Sequence, residues 1–492
     1  MAAAVIRWTN PKSLPRLTVM GHTLSAGPPA RPFPVRPPVP EPPATDPPWY
    51  ALLKAFRSNA LLAWTRNAYE APILERRVLG RPSLLLNAPA AIRRVLVDND
   101  ANYSRTPAGL RILRPVVGAR GLLLSRGEAW RRQRRTLAPA FAPRTLPLLA
   151  RHAAVAADLA LARLDAAAAA AGGRADLLAF FQALTLDIAG RAMFSLEMDR
   201  HGAELRGMIA RYNRSLGRPH LSDFLLPAGL PNLWDLGRAR FRRRWMGLIQ
   251  RILDARREAG GGSGVPRDLL DLLTGAVDPE TGGGLSPDEL RDQVATLIMA
   301  GHETTALALF WACWLLVLAP DVQERVAEEA GVLQGGPAAV AGAVPQLVHT
   351  RAVVQEALRL YPPAYTILRF ALDEDHIDGH RVAPGAIVAV APWILHRHRR
   401  LWDDPDAFLP ERFLPGAPPP DRFAYLPFGA GPRVCIGAPF ALTEATLVLA
   451  RLVGRFRLAM PAGAPPILPA PVVTTQPDHA AAFLLTPRAR PS

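Results

Sequence analysis

The sequence predicts a mainly α-helical fold with small β-sheets, of the α+β class. Alanine- and leucine-rich stretches of helical character dominate the chain from Trp49 onward. One apolar segment, 286–319, is long enough to form a helix through the centre of a large domain. Short strand-like segments lie at 81–86, 366–371, 375–391 and 480–486.

The composition describes a large globular protein with a strong positive charge. Hydrophobic residues make up 49% of the 492 residues, enough for a sizeable core, and two cysteines allow at most one disulfide, which favours a reducing compartment. The net charge is +16, and 56 of the 58 basic residues are arginine. Such a charge suits nucleic acid, acidic lipid or an acidic protein, and it also suits a simple solvated surface.

The first 48 residues differ from the rest. Proline occupies 11 of the 21 positions from Pro28 to Pro48, a composition that favours extended chain and forms no packed core. We therefore expect a proline-rich, disordered tail over 1–48 and one domain over 49–492. The tail has no apolar run long enough to anchor the chain in a membrane, although its early basic residues also fit a transit peptide.

The domain is predicted to be built from eight helical segments. They cover 50–65, 127–170, 176–213, 236–258, 286–319, 320–334, 346–360 and 437–453. The helix at 286–319 begins with Ser286, Pro287 and Glu289, an N-cap with a first-position proline and a capping box. It is also long enough to span a bilayer, but Glu303 near its middle favours burial inside a protein.

One of the two cysteines lies in an unusual loop. Cys313 belongs to an apolar run and is expected to be inert core, whereas Cys435 lies in the sequence FGAGPRVCIG, residues 428–437. The glycines there permit close approach to a flat or bulky group, and Gly437 begins a helix whose N–H groups would favour a thiolate. A zinc site would need further ligands and a nucleophilic cysteine would need a base; a thiolate ligand to heme iron needs one cysteine only.

This loop resembles the heme-binding signature of the cytochromes P450. The pattern F-x-x-G-x-R-x-C-x-G is matched by Phe428, Gly431, Arg433, Cys435 and Gly437, and the resemblance covers about residues 49–490. It implies a long central helix above heme b, with the cysteine loop below it and Cys435 on the iron. The activity it implies is a monooxygenase that inserts one oxygen atom from O2 into a lipophilic substrate.

Further motifs follow in the family's order. The string AGHETT, residues 300–305, resembles the oxygen-activation motif, in which Glu303 and Thr304 would deliver protons. The resemblance makes Glu356, Arg359 and Arg412 a structural triad beneath the cysteine loop. It also assigns the heme propionates to Trp130, Arg134, Arg369 and Arg433, with Phe428 and Gly437 completing the cofactor site. The family's HRDP reads HRHR at 396–399, a departure expected to lie in a loop.

A monooxygenase of this kind needs electrons, and the sequence shows no flavin or iron–sulfur segment after Cys435. We expect ferredoxin and ferredoxin reductase as donors, with Arg131, Arg132 and Arg135 docking an acidic ferredoxin. The arginines at 238–244 are expected at the surface. No motif for nucleic-acid reading is visible, so no nucleic acid is expected as a partner.

The substrate is expected to be a fatty acid, a terpene or a xenobiotic in an apolar pocket. By family position, the pocket candidates are Leu297, Ala300, Tyr365, Thr366, Ile367 and Thr475. A peroxide-driven enzyme or isomerase, a non-enzymatic heme sensor and a nucleic-acid-binding protein remain as alternatives, although the acid–threonine pair disfavours the first two. The expected location is the bacterial cytoplasm, with the mitochondrial matrix as the alternative.

Overall fold

The computed structural model describes residues 34–489, apart from residues 79, 199–200, 227–229, 259 and 261–265. Residues 1–33 of the predicted tail (1–48) therefore lie outside the described residues. The compact unit begins at Pro34 rather than at the expected Trp49. Val35 packs against the main core, and its carbonyl accepts the Phe408 N–H at 2.8 Å. Proline-rich chain lacks most N–H groups, but its carbonyls can still be satisfied by the body of the protein.

Helices make up most of the described chain. They are α1 (Trp49–Ser58), α2 (Pro89–Arg93), α3 (Pro107–Val117), α4 (Gly127–Leu137), α5 (Leu146–Ala170), α6 (Leu177–Phe194), α7 (Gly202–Arg214), α8 (Leu221–Leu225), α9 (Leu233–Glu258), α10 (Leu269–Thr274), α11 (Pro287–Leu318), α12 (Pro320–Glu329), α13 (Pro337–Ala343), α14 (Val348–Leu360), α15 (Pro392–Leu395) and α16 (Ala438–Arg455).

Three small sheets accompany them, which confirms the predicted fold class. The strands are β1 (Ile73–Val78), β2 (Arg81–Leu86), β3 (Tyr103–Ser104), β4 (Arg174–Asp176), β5 (Ile367–Ala371), β6 (Asp375–Ile377), β7 (His380–Val382), β8 (Ile387–Val390), β9 (Phe456–Ala459) and β10 (Ala482–Pro487). The largest sheet has the order β1-β2-β8-β5-β3, with β2 and β8 parallel. The others are β4-β10-β9 and the hairpin β6-β7.

Two predicted helices are divided in the structure. The segment 127–170 breaks into α4 and α5, because Pro139 and Pro143 fall between them in short 3-10 turns. The segment 176–213 breaks after Phe194, where Ser195 adopts a left-handed conformation with φ 50°. The helix α16 continues to Arg455, beyond the predicted end at 453, and includes Gly454. A Cβ there would lie 2.7 Å from the Ala330 Cβ, so this glycine allows close helix packing.

The central helix α11 forms as predicted. The Ser286 hydroxyl accepts the Glu289 N–H at 3.3 Å, and the Glu289 carboxylate accepts the Ser286 N–H at 2.9 Å. Its second half, from Ala306 to Leu316, is buried almost completely in the main core. Among the described residues, α6 and α11 are long and apolar enough to cross a membrane, but their most apolar windows are 56% and 78% buried inside the protein.

A buried ion pair organises the chain beneath this core. Glu356 and Arg359 lie three residues apart on α14, are fully buried and pair through two contacts of 2.7 Å. The Arg359 guanidinium also donates to the carbonyls of His396, Pro405 and Ala407 at 2.7–2.8 Å. Arg412 lies 3.7 Å from the Glu356 carboxylate and donates to the Asp403 and Asp404 carbonyls. The three residues therefore pin the irregular segment 396–412.

The HRHR segment at 396–399 lies in turns after α15, as expected, but most of it is buried. His396, Arg397 and His398 are each at most 2% exposed. The His396 ring contacts the Arg359 carbonyl through Nδ1 at 3.2 Å and accepts the Leu426 N–H through Nε2 at 2.8 Å, so it bridges α14 and the chain entering the cysteine loop. The Arg397 guanidinium lies 3.7 Å from the Trp393 ring centroid, and burial lowers its pKa to about 10.

The arginines at 238–244 are only partly at the surface. Arg238 is buried and makes two contacts with Asp223, at 2.7 and 2.8 Å. Arg242 is half-buried, lies 3.6 Å from Asp292 and donates to the Arg114 carbonyl. Arg240, Arg243 and Arg244 are exposed, as expected.

Burial of neutral His396 predicts a loss of stability in acid. Desolvation, followed by the nearby Arg359 charge, lowers the pKa of this imidazole to about 3, against about 6.5 in an unfolded chain. Below pH 6.5 the unfolded chain binds a proton that the folded chain rejects, so the free energy of unfolding falls as the pH falls. The loss attributable to one such group is at most about 1.4 kcal/mol per pH unit.

The measurement is urea unfolding between pH 7 and pH 5 for the wild type and the His396→Gln variant. We expect a shallower pH dependence in the variant, and an unchanged dependence in His376→Gln, which alters an exposed histidine. Equal slopes in all three proteins would contradict the role of His396.

Candidate functional site

Steric constraints explain why glycine occupies two positions of the cysteine loop. Gly429 and Gly431 both have φ 73°, a backbone conformation that other residues rarely adopt. A Cβ on Gly431 would lie 1.8 Å from the Leu96 carbonyl oxygen, so only glycine lets the loop pass this close to the turn after α2. The Cys435 N–H donates to the Phe428 carbonyl at 2.9 Å and closes the loop. The loop therefore presents one sulfur from a fixed backbone.

Opposing effects act on the pKa of the Cys435 thiol. The N–H groups of Gly437 and Ala438, at the start of α16, and the charge of Arg134 each lower the pKa of the thiol, in the direction the sequence predicts. Burial outweighs them and raises the pKa above its ordinary value. The side chain nevertheless remains accessible, so it lies at the wall of a recess within the protein. By contrast Cys313 is fully buried, in agreement with its expected role as core.

The described residues offer no cluster of three His, Cys, Asp or Glu side chains that could hold a bare metal ion. A metal at Cys435 would therefore need its remaining ligands from a non-protein group. The macrocycle of a heme supplies four such ligands in one plane, so the donor set of the site fits this group.

An uncovered stripe interrupts the burial of α11. Ala300 and Gly301 are exposed and Leu297 and Thr304 are half-buried, while Ile298, the intervening His302 and Glu303 are buried. The spacing 297, 300, 301 and 304 places the uncovered residues on one helix face. A Cβ built on Gly301 would meet no atom within 4 Å. Both Leu297 and Ile436, the neighbour of Cys435, pack against the same hydrophobic cluster, so the stripe and the cysteine loop flank one region.

A group of arginines without acidic partners lies near the loop. It comprises Arg105, Arg134, Arg369 and Arg433, and no ion pair joins any of them to an acid within the described residues. Burial, then the charges of Arg369 and Arg433, lowers the pKa of Arg105 to about 9. Burial and the Arg433 charge lower the pKa of Arg369 to about 10. Crowded, desolvated cations of this kind favour an anionic ligand, and two carboxylates would suit them.

Two members of this group have well-defined positions. The Arg433 guanidinium lies 4.6 Å from the centroid of the Trp130 ring and donates to the Ser125 carbonyl at 3.1 Å. Trp130 and Arg134 are four residues apart and lie on one face of α4, and the Arg134 charge acts on the Cys435 thiol. The structure thus brings the four residues expected at the propionates into one neighbourhood with the cysteine.

Arg105 was missed by the sequence analysis. Its Nε donates to the Leu123 carbonyl at 2.9 Å, and its pKa is lowered by Arg369, Arg433 and Arg126 after burial itself. It directly follows β3, a strand of two residues that pairs with β5 and so brings Arg105 towards Arg369. The sequence carries no signal for this pairing, because so short a strand has no readable alternation.

The Glu303 carboxylate is hydrogen-bonded to other partners than Thr304, the residue with which it is expected to deliver protons. Its Oε1 accepts hydrogen bonds from the Thr474 hydroxyl at 2.8 Å and the Gln476 amide at 2.6 Å, and its Oε2 accepts from the Asn213 amide at 2.8 Å. The carboxylate therefore joins α7 and the loop 472–477 to α11. The neighbouring Thr304 hydroxyl donates to the Ala300 carbonyl at 2.6 Å instead of to Glu303.

The candidate pocket residues divide into two groups. Leu297, Ala300, Thr366 and Ile367 keep accessible surface, and the Thr366 hydroxyl has no hydrogen-bond partner in the described structure.

Tyr365 and Thr475 were expected to line the substrate pocket, but both lie in the core. The Tyr365 hydroxyl donates to the Val472 carbonyl at 2.9 Å. Thr475 is fully buried and its hydroxyl donates to the Pro362 carbonyl at 2.6 Å, while its own carbonyl accepts from the Trp311 indole. They brace the loop 472–477 and leave no surface for a substrate.

The arginines expected to dock a ferredoxin are engaged within the chain. Arg132 pairs with Glu289 at the start of α11, and Arg135 pairs with Asp278 at 2.8 Å and with Glu280 at 3.0 Å. Arg131 is exposed and pairs with Glu128 at 3.3 Å. Arg132 and Arg135 therefore fasten α4 to the segment before α11 and are poorly placed for docking.

Comparison with known proteins agrees with this geometry. The family model described as cytochrome P450 matches residues 40–482. The chain belongs to the cytochrome P450 family. Cyclooctatin synthase from Streptomyces melanosporofaciens is 36% identical over 78% of this chain and 83% of its own. Protein LUTEIN DEFICIENT 5, chloroplastic, from Arabidopsis thaliana is 30% identical over 83% of this chain and 71% of its own.

A solved structure supports the same assignment. The crystal structure of the cytochrome P450DA heme domain superposes with a TM-score of 0.76 at 25% identity, over 92% of this chain and 99% of that one. This cytochrome P450 is accordingly a heme-thiolate monooxygenase that inserts one oxygen atom from O2 into a lipophilic substrate. Its electrons come from an external donor.

The arginine group predicts a test of cofactor binding. We expect Arg105→Leu to weaken heme retention about tenfold or more, since a hydrogen bond to a charged group contributes about 1.5–3 kcal/mol. The measurement is the rate and extent of heme transfer to an excess of apomyoglobin, followed by absorbance. Arg105→Lys should retain more heme than Arg105→Leu, and Arg81→Leu, at an exposed position of β2, should match the wild type. Equal retention in Arg105→Leu and Arg81→Leu would contradict the assignment.

Proposed function

We propose that this cytochrome P450 hydroxylates or epoxidises a cyclic terpenoid, using heme b and electrons from a ferredoxin. The observation that carries the reaction is the accessible Cys435 sulfur in a recess flanked by the uncovered stripe of α11. Bound heme supplies the oxygen-activating chemistry, and a thiolate ligand favours cleavage of the O–O bond. The residues of this chain bind, orient and supply protons.

In this proposal Cys435 binds the iron and the arginine group binds the propionates. Arg134, Arg369 and Arg433 act there with Arg105, and Trp130 positions Arg433 through its ring. Phe428 and Gly437 act through their backbone: the first accepts the Cys435 N–H, and the second directs its N–H to the sulfur. The small residues Ala300 and Gly301 of α11 would leave room for oxygen beside the bound group.

Proton delivery is assigned to Glu303 and Thr304, with Glu303 held at a distance by its partners. Asn213, Thr474 and Gln476 all donate to the carboxylate, so it rests as an acceptor on the side of α7 and the loop 472–477. To pass a proton towards Thr304 it must exchange one of these bonds for water or for the threonine hydroxyl. Loosening of α7 would allow this exchange, which couples proton delivery to the packing of α7.

The electron donor is proposed to dock beside the cysteine loop. A groove of about 570 Å³ lies there, lined by Arg93, Val97, Arg422, Phe423, Gly431 and Pro432. Arg422 and the nearby Arg126 are exposed and have no ion pair within the described residues. A cationic rim around an apolar floor suits an acidic ferredoxin of the bacterial cytoplasm, and Pro432 in its wall precedes Arg433 by one residue and Cys435 by three.

The substrate class follows from the relatives together with the pocket. Cyclooctat-9-en-7-ol 5-monooxygenase from Streptomyces melanosporofaciens, whose name gives a cyclic alcohol as substrate, is 35% identical over 68% of this chain. The accessible residues Leu297, Ala300 and Ile367 are apolar, which suits a lipophilic ring system. Of the fatty acid, terpene and xenobiotic expected from the sequence, a cyclic terpene alcohol fits best.

The reduced, carbon-monoxide-bound absorption spectrum tests the proposed ligand. We expect a strongly red-shifted Soret band in the wild type, because a thiolate donates electron density to the iron. Cys435→Ser should lose this band, while Cys313→Ala, at the buried cysteine, should keep it. A band of the histidine type, unchanged in Cys435→Ser, would contradict the proposal.

The hydrogen bonds of Glu303 predict a kinetic test. With a cyclic terpene alcohol that shifts the spin state, we expect Glu303→Gln to lower kcat about a hundredfold with little change in KM, the usual scale of a lost proton donor. Asn213→Leu frees one carboxylate oxygen and should change kcat and its pH profile less. Glu303→Asp should restore part of the rate. Wild-type kcat and solvent isotope effect in Glu303→Gln would exclude this carboxylate from proton delivery.

A further inference from the structure

A second groove lies between α5 and α6, and we call it the α5–α6 groove. Its volume is about 540 Å³, and it is bounded by β4 at one end and by Met198 and the first two turns of α7 at the other. None of its lining residues belongs to the cysteine loop, to the arginine group or to α11, so it is separate from the site described above. A volume of this size falls within the range of about 300–1,000 Å³ that is typical of small-molecule sites.

Short side chains leave this groove open. The lining includes six alanines, contributed by both helices, by β4 and by α7: Ala160, Ala167, Ala171, Ala175, Ala183 and Ala203. Between them the floor is apolar, since Leu164 and Leu184 are buried there and Phe180 is half-buried. The stretch from Ala160 to Ala171 extends about 16 Å along α5, at a rise of 1.5 Å per residue. The groove is therefore an elongated apolar furrow.

The end of the groove at α7 is positively charged. Arg206 on α7 lines it, is half-buried and forms no ion pair within the described residues. Arg163 on α5 adds a second guanidinium to the lining of the groove. The acid of the lining on α6, Asp187, is already engaged, because its carboxylate accepts from the Arg191 guanidinium at 2.9 Å. The described charges at this end are therefore predominantly positive.

The end of the groove at β4 carries no such excess. Arg174 and Asp176 are both exposed and lie two residues apart, on one face of the strand, with opposite charges. Asp176 also caps α6, where its carboxylate accepts the Ala179 N–H at 3.0 Å. The groove thus runs from a cationic end, past an apolar floor, to an end where the charges balance.

This asymmetry separates the possible occupants. An uncharged lipophile would leave Arg206 without a counter-charge, and a cationic amphiphile would be repelled at the α7 end. A protein partner usually covers about 800 Å² on each side, whereas this furrow has the size of a small-molecule site. An anion with one apolar chain satisfies both features, because its head meets Arg206 while its chain covers Leu164 and Leu184.

We propose that the α5–α6 groove binds an anionic amphiphile with a single apolar chain, such as a long-chain carboxylate. The head group lies at the α7 end, against Arg206, and the chain follows α5 towards β4. This site goes beyond the proposed function, because it shares no residue with the heme recess and requires no particular substrate.

The test is isothermal titration of the heme-loaded, full-length protein with laurate below its critical micelle concentration. An azole that ligates the heme iron first occupies the recess beside Cys435, and an unchanged Soret band during the titration shows that laurate does not enter there. We expect saturable binding of laurate. Butyrate has the same head without the chain, and dodecyltrimethylammonium has the same chain with a cationic head. Each should bind about tenfold or more weakly, since each lacks one of the two contacts.

Two variants with matched controls locate the ligand. Arg206→Gln should weaken laurate about tenfold or more, because a charge-assisted hydrogen bond is lost. Arg211→Gln, at an exposed arginine of α7 outside the groove, should match the wild type. Ala167→Trp fills the groove from an exposed position of α5 and should abolish binding, whereas Ala169→Trp, exposed on α5 but outside the groove, should preserve it.

Three outcomes would overturn the proposal. The first is an absence of saturable laurate binding to the azole-blocked protein. The second is an equal effect of Arg206→Gln and Arg211→Gln. The third is binding of dodecyltrimethylammonium as tight as that of laurate, which would show adsorption by the apolar chain alone. The carbon-monoxide spectrum and the far-ultraviolet circular dichroism of each variant report on the heme site and the fold, so failure of this proposal is distinguishable from failure of the proposed function.

Discussion

The buried ion pair between Glu356 and Arg359 fixes the part of the chain that carries Cys435. Its guanidinium holds three carbonyls of the segment 396–407, and its carboxylate accepts the Leu409 N–H at 2.9 Å. His396 extends this order from α14 to Leu426, two residues before the cysteine loop begins. Removing one partner of a buried ion pair costs about 3–5 kcal/mol, because the remaining charge is left buried without a counter-charge or water. Such a site tolerates little change, and it gives an irregular segment the rigidity that a metal ligand requires.

In the recess beside Cys435, by contrast, the charges are not compensated by ion pairs in the described part of the chain. The arginines there are desolvated and close to one another, and none of them forms an ion pair with an acid within the described residues. The fold therefore carries an electrostatic cost that a dianionic ligand would offset. The small residues of α11 likewise leave apolar surface uncovered that a flat ring would bury. At this site the unliganded fold is less stable than it could be, and the same features favour binding of the ligand, as is common at binding sites.

Much of this arrangement could be predicted from the sequence, because it depends on local signals. The caps of α11, the glycines around Cys435 and the three-residue spacing of Glu356 and Arg359 each act within a few residues. The position of Arg105 could not, since it depends on a two-residue strand meeting a segment more than 250 residues later. Tyr365 and Thr475 were misassigned because sequence position gives the loop but not the direction in which a side chain points. Arg132 and Arg135 look like docking residues until the fold brings Asp278 and Glu289 to them.

The large positive charge thus has no single meaning. Arg238, Arg256 and Arg359 are buried opposite carboxylates and act as internal fasteners of the fold. Arg105 and Arg369 are half-buried and form no ion pair within the described residues, which marks a place for an anion. Arg240, Arg243 and Arg244 on α9 are exposed and form no ion pair within the described residues. The same side chain therefore acts in three ways, and what distinguishes them is the burial of the guanidinium and the location of the nearest acid, neither of which composition records.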